Sequence, residues 1–352
     1  MLDYNMYDVK YHTDDLSDKS FLITGGAGFI GSNITEYLLK YGAGKVRVLD
    51  NLSNGYFENI KDFMDFPNFE FVLGDIRDYN TCVNALDGID FLSHQAALGS
   101  VPRSIGNPIA SNEVNVNGFL NVLTAAKESK TLKRMVYAAS SSTYGDSAAL
   151  PKVEGNEGNP LSPYAVTKLV NELYADVFSK VYGFHTIGLR YFNIFGPRQN
   201  PNNPYAAVIP LFCKHFIEGT QPTINGDGLT SRDFTFVENA VQANVKALLF
   251  GTGIEQNELN LTPCSTSKFE HLDKHQIMNV ACGDQVTLNE MVNVLRQVSG
   301  NNISANYGPQ RIGDVLHSKA SIEKIKQLLG YEPHFSFQLG LEIAYMWYLE
   351  NE

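Results

Sequence analysis

The chain predicts an α/β fold built on a doubly wound parallel sheet, and three observations carry that expectation. Short apolar runs alternate with helix-period segments along the first half of the 352 residues. The first run, Phe21-Leu22-Ile23-Thr24, ends on a glycine-spaced turn, Gly25-Gly26-Ala27-Gly28-Phe29-Ile30-Gly31, that opens a helix. The next run, Val46-Arg47-Val48-Leu49-Asp50, ends in a carboxylate nineteen residues beyond Gly31.

Residues 1–18 are acidic and polar and read as an irregular leader. After the first strand, Gly25, Gly28 and Gly31 give a tight turn and a close backbone approach to a pyrophosphate. N–H groups face phosphate from the start of a helix whose apolar face continues through Ile34, Leu38 and Leu39. Asp50 stands where a carboxylate binds the adenosine ribose diol, and its charge repels a 2′-phosphate, so the pattern points to NAD rather than NADP. Phe29, Ile30 and Asn51 join the expected cofactor-binding set. Phe69–Leu73 is a further strand, leading to Asp75 and Ile76 with Asp75 in reach of the adenine. Asp90–His94 leads into Gln95, Ala96 and Ala97, where small residues let backbone lie against the cofactor. A helix over Ile109–Lys127 precedes the strand Arg134–Ala139. In such a sheet ligands bind at the carboxyl ends of the strands. His94 reads as a packed core histidine rather than a ligand or base, and no His, Cys or Asp/Glu cluster has metal-ligand spacing.

The strip Ser140-Ser141-Ser142-Thr143-Tyr144-Gly145 follows that last strand, so Ser140 is a candidate hydrogen-bond partner for a reacting hydroxyl. Downstream, Ser162-Pro163-Tyr164-Ala165-Val166-Thr167-Lys168 sets a tyrosine four residues before a lysine. Leu169, Val170, Leu173 and Val177 continue it at helical spacing, so phenol and ammonium share a face. A free tyrosine titrates near ~10, and a fixed positive charge within a few Å favours its phenolate. The pair suits a base that takes a proton from a hydroxyl while hydride leaves the same carbon. Alone the spacing is common on solvated helices; the glycine turn, the acid and the serine strip supply its context.

Bulk properties narrow the rest. A hydrophobic content of 43% supports a buried core, and 18% charged residues is too few for a disordered chain. The net charge of −11 argues against a nucleic-acid surface. Cys82, Cys213, Cys264 and Cys282 are far apart with no Cys-x-x-Cys, which predicts reduced buried thiols rather than a zinc site or a disulfide framework. The leader has no apolar core of a secretory signal, and no window approaches the ~20 apolar residues of a membrane span. A cytoplasmic protein is expected.

With these residues assembled, the chain resembles the extended short-chain dehydrogenases/reductases over about residues 20–350. More narrowly it resembles the nucleotide-sugar 4-epimerases of bacterial surface-polysaccharide synthesis, including UDP-N-acetylglucosamine 4-epimerases and relatives acting on the matching hexosaminuronic acids. The carriers are Gly25–Gly31, Gln95–Ser104, Tyr137–Gly145, Leu161–Lys168, Leu189–Asn193, Ser231–Phe234 and Arg311–Asp314. The resemblance implies a Rossmann domain over 19–195 plus about 233–252, and a smaller C-terminal α/β domain over 196–232 and 253–352 that caps a UDP-sugar. It implies Tyr164 as base, Lys168 as its partner, and Ser140 as the serine nearest the sugar's 4-hydroxyl. Ser141 and Ser142 would line the sugar pocket, Asn115 and Phe192 would sit against the cofactor, and Asn193 would face the substrate. Arg232 and Arg311 match diphosphate-clamping arginines, Asp314 the uridine-ribose ligand, and Arg103 a sugar or loop contact. Relatives dimerise through two helices, here those around Leu169–Val177 and Asn115–Ala126.

The reaction implied is 4-epimerisation of UDP-GlcNAc to UDP-GalNAc. The same step on UDP-N-acetylglucosaminuronic acid is the alternative, with UDP-glucose behind it. Ser318 holds the position that limits room beside the hexose, and a serine leaves space for an N-acetyl group. Leu316 departs from the basic residue usual in this branch, and Gly253–Gln276 reads as an inserted surface loop. Dehydratases and decarboxylases of the family carry acids where Ser141 and Ser142 stand, which argues against elimination. A non-catalytic NAD sensor predicts loss of Tyr164 or Lys168, and both are present.

Overall fold

A computed structural model describes residues 6–202, 207–251, 274–310 and 316–351. Arg311, Asp314, Cys264 and most of the expected 253–276 loop lie outside these residues. Along the chain run β1 (Ser20–Thr24), α1 (Phe29–Lys40), β2 (Lys45–Asp50), β3 (Phe69–Leu73), α2 (Tyr79–Leu86), β4 (Phe91–His94), α3 (Val101–Gly106), α4 (Pro108–Asn112), α5 (Phe119–Glu128) and β5 (Arg134–Ser140). Then come α6 (Pro163–Tyr182), β6 (Thr186–Tyr191), β7 (Ile194–Phe195), α7 (Val208–Ile217), β8 (Thr223–Asn225), β9 (Ser231–Arg232), β10 (Thr235–Phe236) and α8 (Val237–Leu249). β11 (His275–Val280), β12 (Val286–Thr287), α9 (Leu288–Ser299), β13 (Asn306–Gly308), α10 (Glu323–Leu329) and α11 (Phe337–Asn351) follow.

Seven strands pair in the order β11-β6-β5-β4-β1-β2-β3, all parallel. Parallel strands with apolar side chains on both faces need cover on both. On one face α1 and α8 pack together over Ile34, Leu38, Val241 and Val245; on the other α2, α5 and α6 enclose Leu86, Phe119, Leu123 and Ala175. The order reverses between β1 and β4, where the chain leaves in opposite directions and opens a crevice at the strands' carboxyl ends. α6 has a full set of end signals: Ser162 accepts from the Ala165 N–H, Pro163 opens the first turn, and Gly183 stops the helix at φ +69°.

Two details differ from the sequence reading, and two add to it. First, β11 is the edge strand of the main sheet, in register with β6, although residues 253–352 were assigned to the second domain. Its Ile277-Met278-Asn279-Val280 run is short and flanked by polar chain, so no pattern ties it to a distant sheet. The expected 253–276 loop also ends at this strand, which already includes His275 and Gln276. Second, the helix expected over 109–127 is α4 and α5 joined by a wider π-type turn, Glu113–Gly118. Gly118 presses on Ile76, where a Cβ would stand 2.7 Å from Cδ1.

Third, the leader is irregular but not loose. Tyr7, Tyr11 and Leu16 are buried, Tyr7 Oη donates to Asn33 Oδ1 (2.5 Å), and Tyr11 Oη donates to Glu238 Oε1 (2.8 Å), tying the leader to α1 and α8. Fourth, Leu173 and Val177 of α6 do not enter the core; they are 57% and 51% exposed. A second core lies beyond the sheet, where α7, α9 and α11 pack Phe212, Phe216, Met291, Leu295, Leu341 and Tyr348. Cys82 and Cys213 are buried and Cys282 is partly buried.

Candidate active site

At the switch point lies a cleft of about 590 Å³. Its floor begins at the β1–α1 turn. Gly25 adopts φ +69°, and a Cβ there would come within 2.6 Å of the Ala96 backbone nitrogen. Gly31 does not reach the cleft, but a Cβ on it would meet the Gly25 carbonyl at 2.3 Å, so it permits α1 to seat against the turn. α1 starts at Gly28, which supplies no side-chain cap, so the opening N–H groups beside Phe29 and Ile30 keep their capacity for an anion. Asp50 ends β2 with its carboxylate accepting from the Ala27 N–H (3.0 Å) and the Leu52 N–H (2.8 Å). Burial raises its pKa against those hydrogen bonds. Asp75 accepts from Asn51 Nδ2 (2.9 Å) and is held down to about 2, chiefly by hydrogen bonds from Arg77. Ile76, Gln95, Ala96 and Ala97 complete this half of the wall. A glycine cradle, an uncapped helix start and a ribose-directed carboxylate fit a dinucleotide without a 2′-phosphate.

The other half of the cleft holds the chemistry. Ser140 and Ser141 line it from the end of β5, and Tyr164 and Lys168 from the first turns of α6. Lys168 donates to the Ala138 carbonyl (2.7 Å), with its ammonium 5.9 Å from the Tyr164 ring centroid. Ser142 is not in the lining; its hydroxyl and N–H both donate to Ser140 Oγ (2.9 and 3.2 Å), which fixes the Ser140 rotamer. The lysine was expected to pull the phenol down. Instead burial raises the Tyr164 pKa, opposed by a hydrogen bond with Ser140, and burial pushes Lys168 down to about 8. In this enclosed setting desolvation outweighs the pairing at that separation.

Two expected contacts take other places. Phe192 is fully buried against Tyr144, 5.9 Å between centroids, while Tyr191 lines the cleft; neighbouring residues at the end of β6 project to opposite sides. Asn115 is buried below the wall, where its amide accepts from the Leu98 N–H (2.7 Å) and donates to the Leu98 carbonyl (3.0 Å) and Thr167 Oγ1 (3.2 Å). It braces the loop after β4. Arg103 lines the cleft and donates to Asn54 Oδ1 (3.1 Å).

Asn193 lines the cleft at φ +39°, with its amide donating to the Asp233 carbonyl (3.0 Å). Arg232 and Ser318 are brought together beside the cleft rather than in its lining. Arg232 Nη1 donates to the Ser231 and Leu316 carbonyls (2.9 and 3.2 Å), and the Ser318 N–H donates to the Ser231 carbonyl (3.1 Å). Sequence reasoning missed Ser53–Tyr56 and Arg198–Asn200, which also line the cleft. The polar Ser-Asn-Gly turn two residues beyond Asn51 was the available signal for the first group. His94 is buried under the floor with Nδ1 2.7 Å from Thr24 Oγ1, and burial pushes it down to about 3. Among the described residues no cluster of His, Cys, Asp or Glu has the form of a metal site, and no helix is long and apolar enough to cross a membrane.

Comparison with known proteins agrees with this geometry. The structure of a UDP-N-acetylglucosamine 4-epimerase from Methanobrevibacter ruminantium, in complex with UDP-N-acetylmuramic acid, is similar with a TM-score of 0.84 and 33% identity, covering 95% of this chain and 99% of that one. An epimerase from Methanothermobacter thermautotrophicus is similar with a TM-score of 0.83 and 35% identity, over 95% and 93%. A UDP-glucose 4-epimerase of Mycolicibacterium smegmatis is 31% identical over 91% of this chain and 95% of its own. The family model described as the NAD dependent epimerase/dehydratase family matches residues 21–261. The dinucleotide that the cleft fits is therefore NAD, and the chain belongs to the NAD dependent epimerase/dehydratase family.

Proposed function

We propose that this protein is a UDP-sugar 4-epimerase whose substrate is a UDP-N-acetylhexosamine, interconverting UDP-GlcNAc and UDP-GalNAc. The observation that carries the reading is the convergence of Tyr164, Lys168 and Ser140 on one wall of the cleft, followed by Ser141 where an eliminating enzyme needs an acid. Bound NAD supplies a reversible hydride acceptor at the sugar's C4 and a positive charge beside Tyr164. The chain's own residues handle the proton. Tyr164 takes it from O4 and later returns it, and Ser140, its rotamer fixed by Ser142, hydrogen-bonds the same oxygen. Lys168 contributes a cation that offsets the cost of a buried phenolate.

For the 4-keto sugar to be re-reduced on its other face it must turn while the nucleotide stays anchored. Arg232, Arg311 and Asp314 are the proposed anchors for the diphosphate and uridine ribose, and Asn193 and Ser141 the sugar contacts. Ser318, which shares the Ser231 carbonyl with Arg232, is too small to crowd an N-acetyl group in this reading. Charge-assisted contacts at one end and few at the other suit a sugar that rotates.

A homodimer is part of the proposal. Val166, Leu173, Val177 and Val181 form an exposed apolar stripe on α6 at spacings of seven and four, beside exposed Ile105 and Ile109.

The test is incubation of purified protein, without added cofactor, with UDP-GlcNAc and separately with UDP-N-acetylglucosaminuronic acid and UDP-glucose. Proton NMR at the anomeric and H4 signals reads the product. Turnover of UDP-GlcNAc fastest of the three is expected; faster turnover of the uronic acid moves the assignment to that branch. No 4-epimer from any of them, with NAD supplied, would sink the reading.

A further inference from the structure

We propose that Glu172, clamped by Arg190, is a positioning residue that keeps the Lys168 side chain a cation in its buried setting. The proposal rests on the epimerase reading, in which Lys168 must carry charge beside Tyr164. Tyr164, Lys168 and Glu172 recur every four residues and share one face of α6. Lys168, Glu172 and Arg190 are 4%, 6% and 4% exposed, so none is a solvated surface charge. Arg190, from β6, grips Glu172 as a fork, Nε to Oε1 at 2.9 Å and Nη2 to Oε2 at 2.7 Å. The guanidinium is fixed from its other side by Glu157 and lies 4.8 Å from the Tyr144 ring centroid. Glu172 therefore has no freedom to turn away from the lysine one helical turn before it.

The surrounding groups leave this carboxylate as the counter-charge. Facing the lysine are Tyr164 and Glu172 on α6, the Ala138 carbonyl on β5 and His94 on β4, while Tyr137 on β5 lies near Glu172. Arg190 on β6, Glu157 and Tyr144 stand behind Glu172. Burial holds His94 neutral above about 3, keeps Tyr144 protonated up to about 12, and raises Tyr137 further, so these three bring no charge at neutral pH. Of the charged groups, Glu172 is the one that acts to raise Lys168 against its desolvation. Burial raises the Glu172 pKa and the Arg190 fork opposes that rise. With Glu172 held as a carboxylate, two cations and two carboxylates balance inside the molecule, and an arginine that holds a glutamate becomes intelligible as a device for the lysine.

The experiment is a pH titration of the purified protein carrying lysine labelled with ¹³C at Cε, with the Lys168 signal assigned by its loss in K168R. The wild-type midpoint is expected near 8. In E172Q it moves down by about one pH unit, because a buried cation loses its nearest opposite charge while Arg190 remains. In the matched variant E172Q/R190M the midpoint lies between those two, since the repelling guanidinium has gone as well. The kcat–pH profile on UDP-GlcNAc follows the same order, with the high-pH limb lowest in E172Q. A purely packing role for Glu172 predicts additive losses of stability and an unmoved midpoint. If E172Q does not fold, the double variant, which leaves only the part-exposed Glu157 without its arginine, carries the test, and its midpoint must still lie below wild type. Wild-type turnover with unmoved midpoints in the variants overturns the inference. A moved midpoint in a protein that turns over no UDP-sugar supports the charge coupling and fails the epimerase reading instead.

Discussion

His94 makes the fold acid-sensitive by an amount that follows from its burial. Its ring sits under the cleft floor, 4% exposed, with Nδ1 2.7 Å from Thr24 Oγ1 and its edge toward Phe119. Desolvation takes it from 6.5 to about 3, with the charge of Lys168 adding to the effect. A histidine depressed in the folded state stabilises the protein fully above its unfolded pKa of 6.5, and that stability is lost as the pH falls toward 3. At pH 5.0 the unfolded chain binds the proton almost completely and the folded one hardly at all. Between pH 7.5 and 5.0 the linkage through this one group amounts to about 2 kcal/mol. His94→Gln removes the titration while keeping a polar partner for Thr24. The assay is urea unfolding of both proteins at both pH values. Acid effects from every other group cancel in the double difference, so wild type should lose about 2 kcal/mol more than the variant. A double difference below about 0.5 kcal/mol, within ordinary additivity error, refutes the reasoning.

Other outcomes follow from the cleft. Tyr164→Phe should lower kcat by about 10²–10⁴-fold, the usual worth of a positioned acid–base group, while the purified protein keeps its NAD by absorbance. Gly25→Ala imposes a left-handed conformation costing about 1–2 kcal/mol and sets a Cβ against the Ala96 backbone, so the purified variant should carry little NAD by acid extraction; full occupancy would contradict the cradle. Ser318→Tyr should reduce kcat/KM for UDP-GlcNAc by at least tenfold more than for UDP-glucose. Equal losses on the two substrates would remove Ser318 from the selectivity argument.

The sheet was legible because its strands announce themselves locally. β1 to β5 are dense in apolar and β-branched residues, and turn chemistry separates them, so their alternation with helices dictates a parallel arrangement without any long-range knowledge. β11 was not legible: it completes the sheet only by pairing with β6 across more than eighty residues of chain, and such pairing leaves no mark on its own sequence. The leader's irregular course was legible, but its anchoring was not, for the same reason. Its tyrosines look like polar punctuation until Asn33 and Glu238 provide partners for their hydroxyls inside the core.

In the site, residues whose backbone role is set by chemistry were found, and those whose role depends on side-chain direction were not. Gly25, Asp50, Ser140 and Tyr164 each do something that few other residue types can do at that point of the chain, and each lines the cleft. Tyr191 and Phe192 are both aromatic, and only the projection at the end of β6 decides that the first meets the cleft while the second enters the core. Asn115 shows the same limit from below. The resemblance implied a cofactor contact, yet two hydrogen bonds to Leu98 and one to Thr167 use its amide to hold the loop after β4 against the helix that carries Tyr164. That arrangement also accounts for why the base can be placed so firmly: the Tyr164 N–H donates to Ser104 Oγ (3.0 Å), and Ser104 belongs to α3, at the far end of the braced loop. The wall against the cofactor and the helix bearing the base are thus one connected unit. A change in the loop after β4 should therefore alter the reacting end of the cleft as well as its cofactor end.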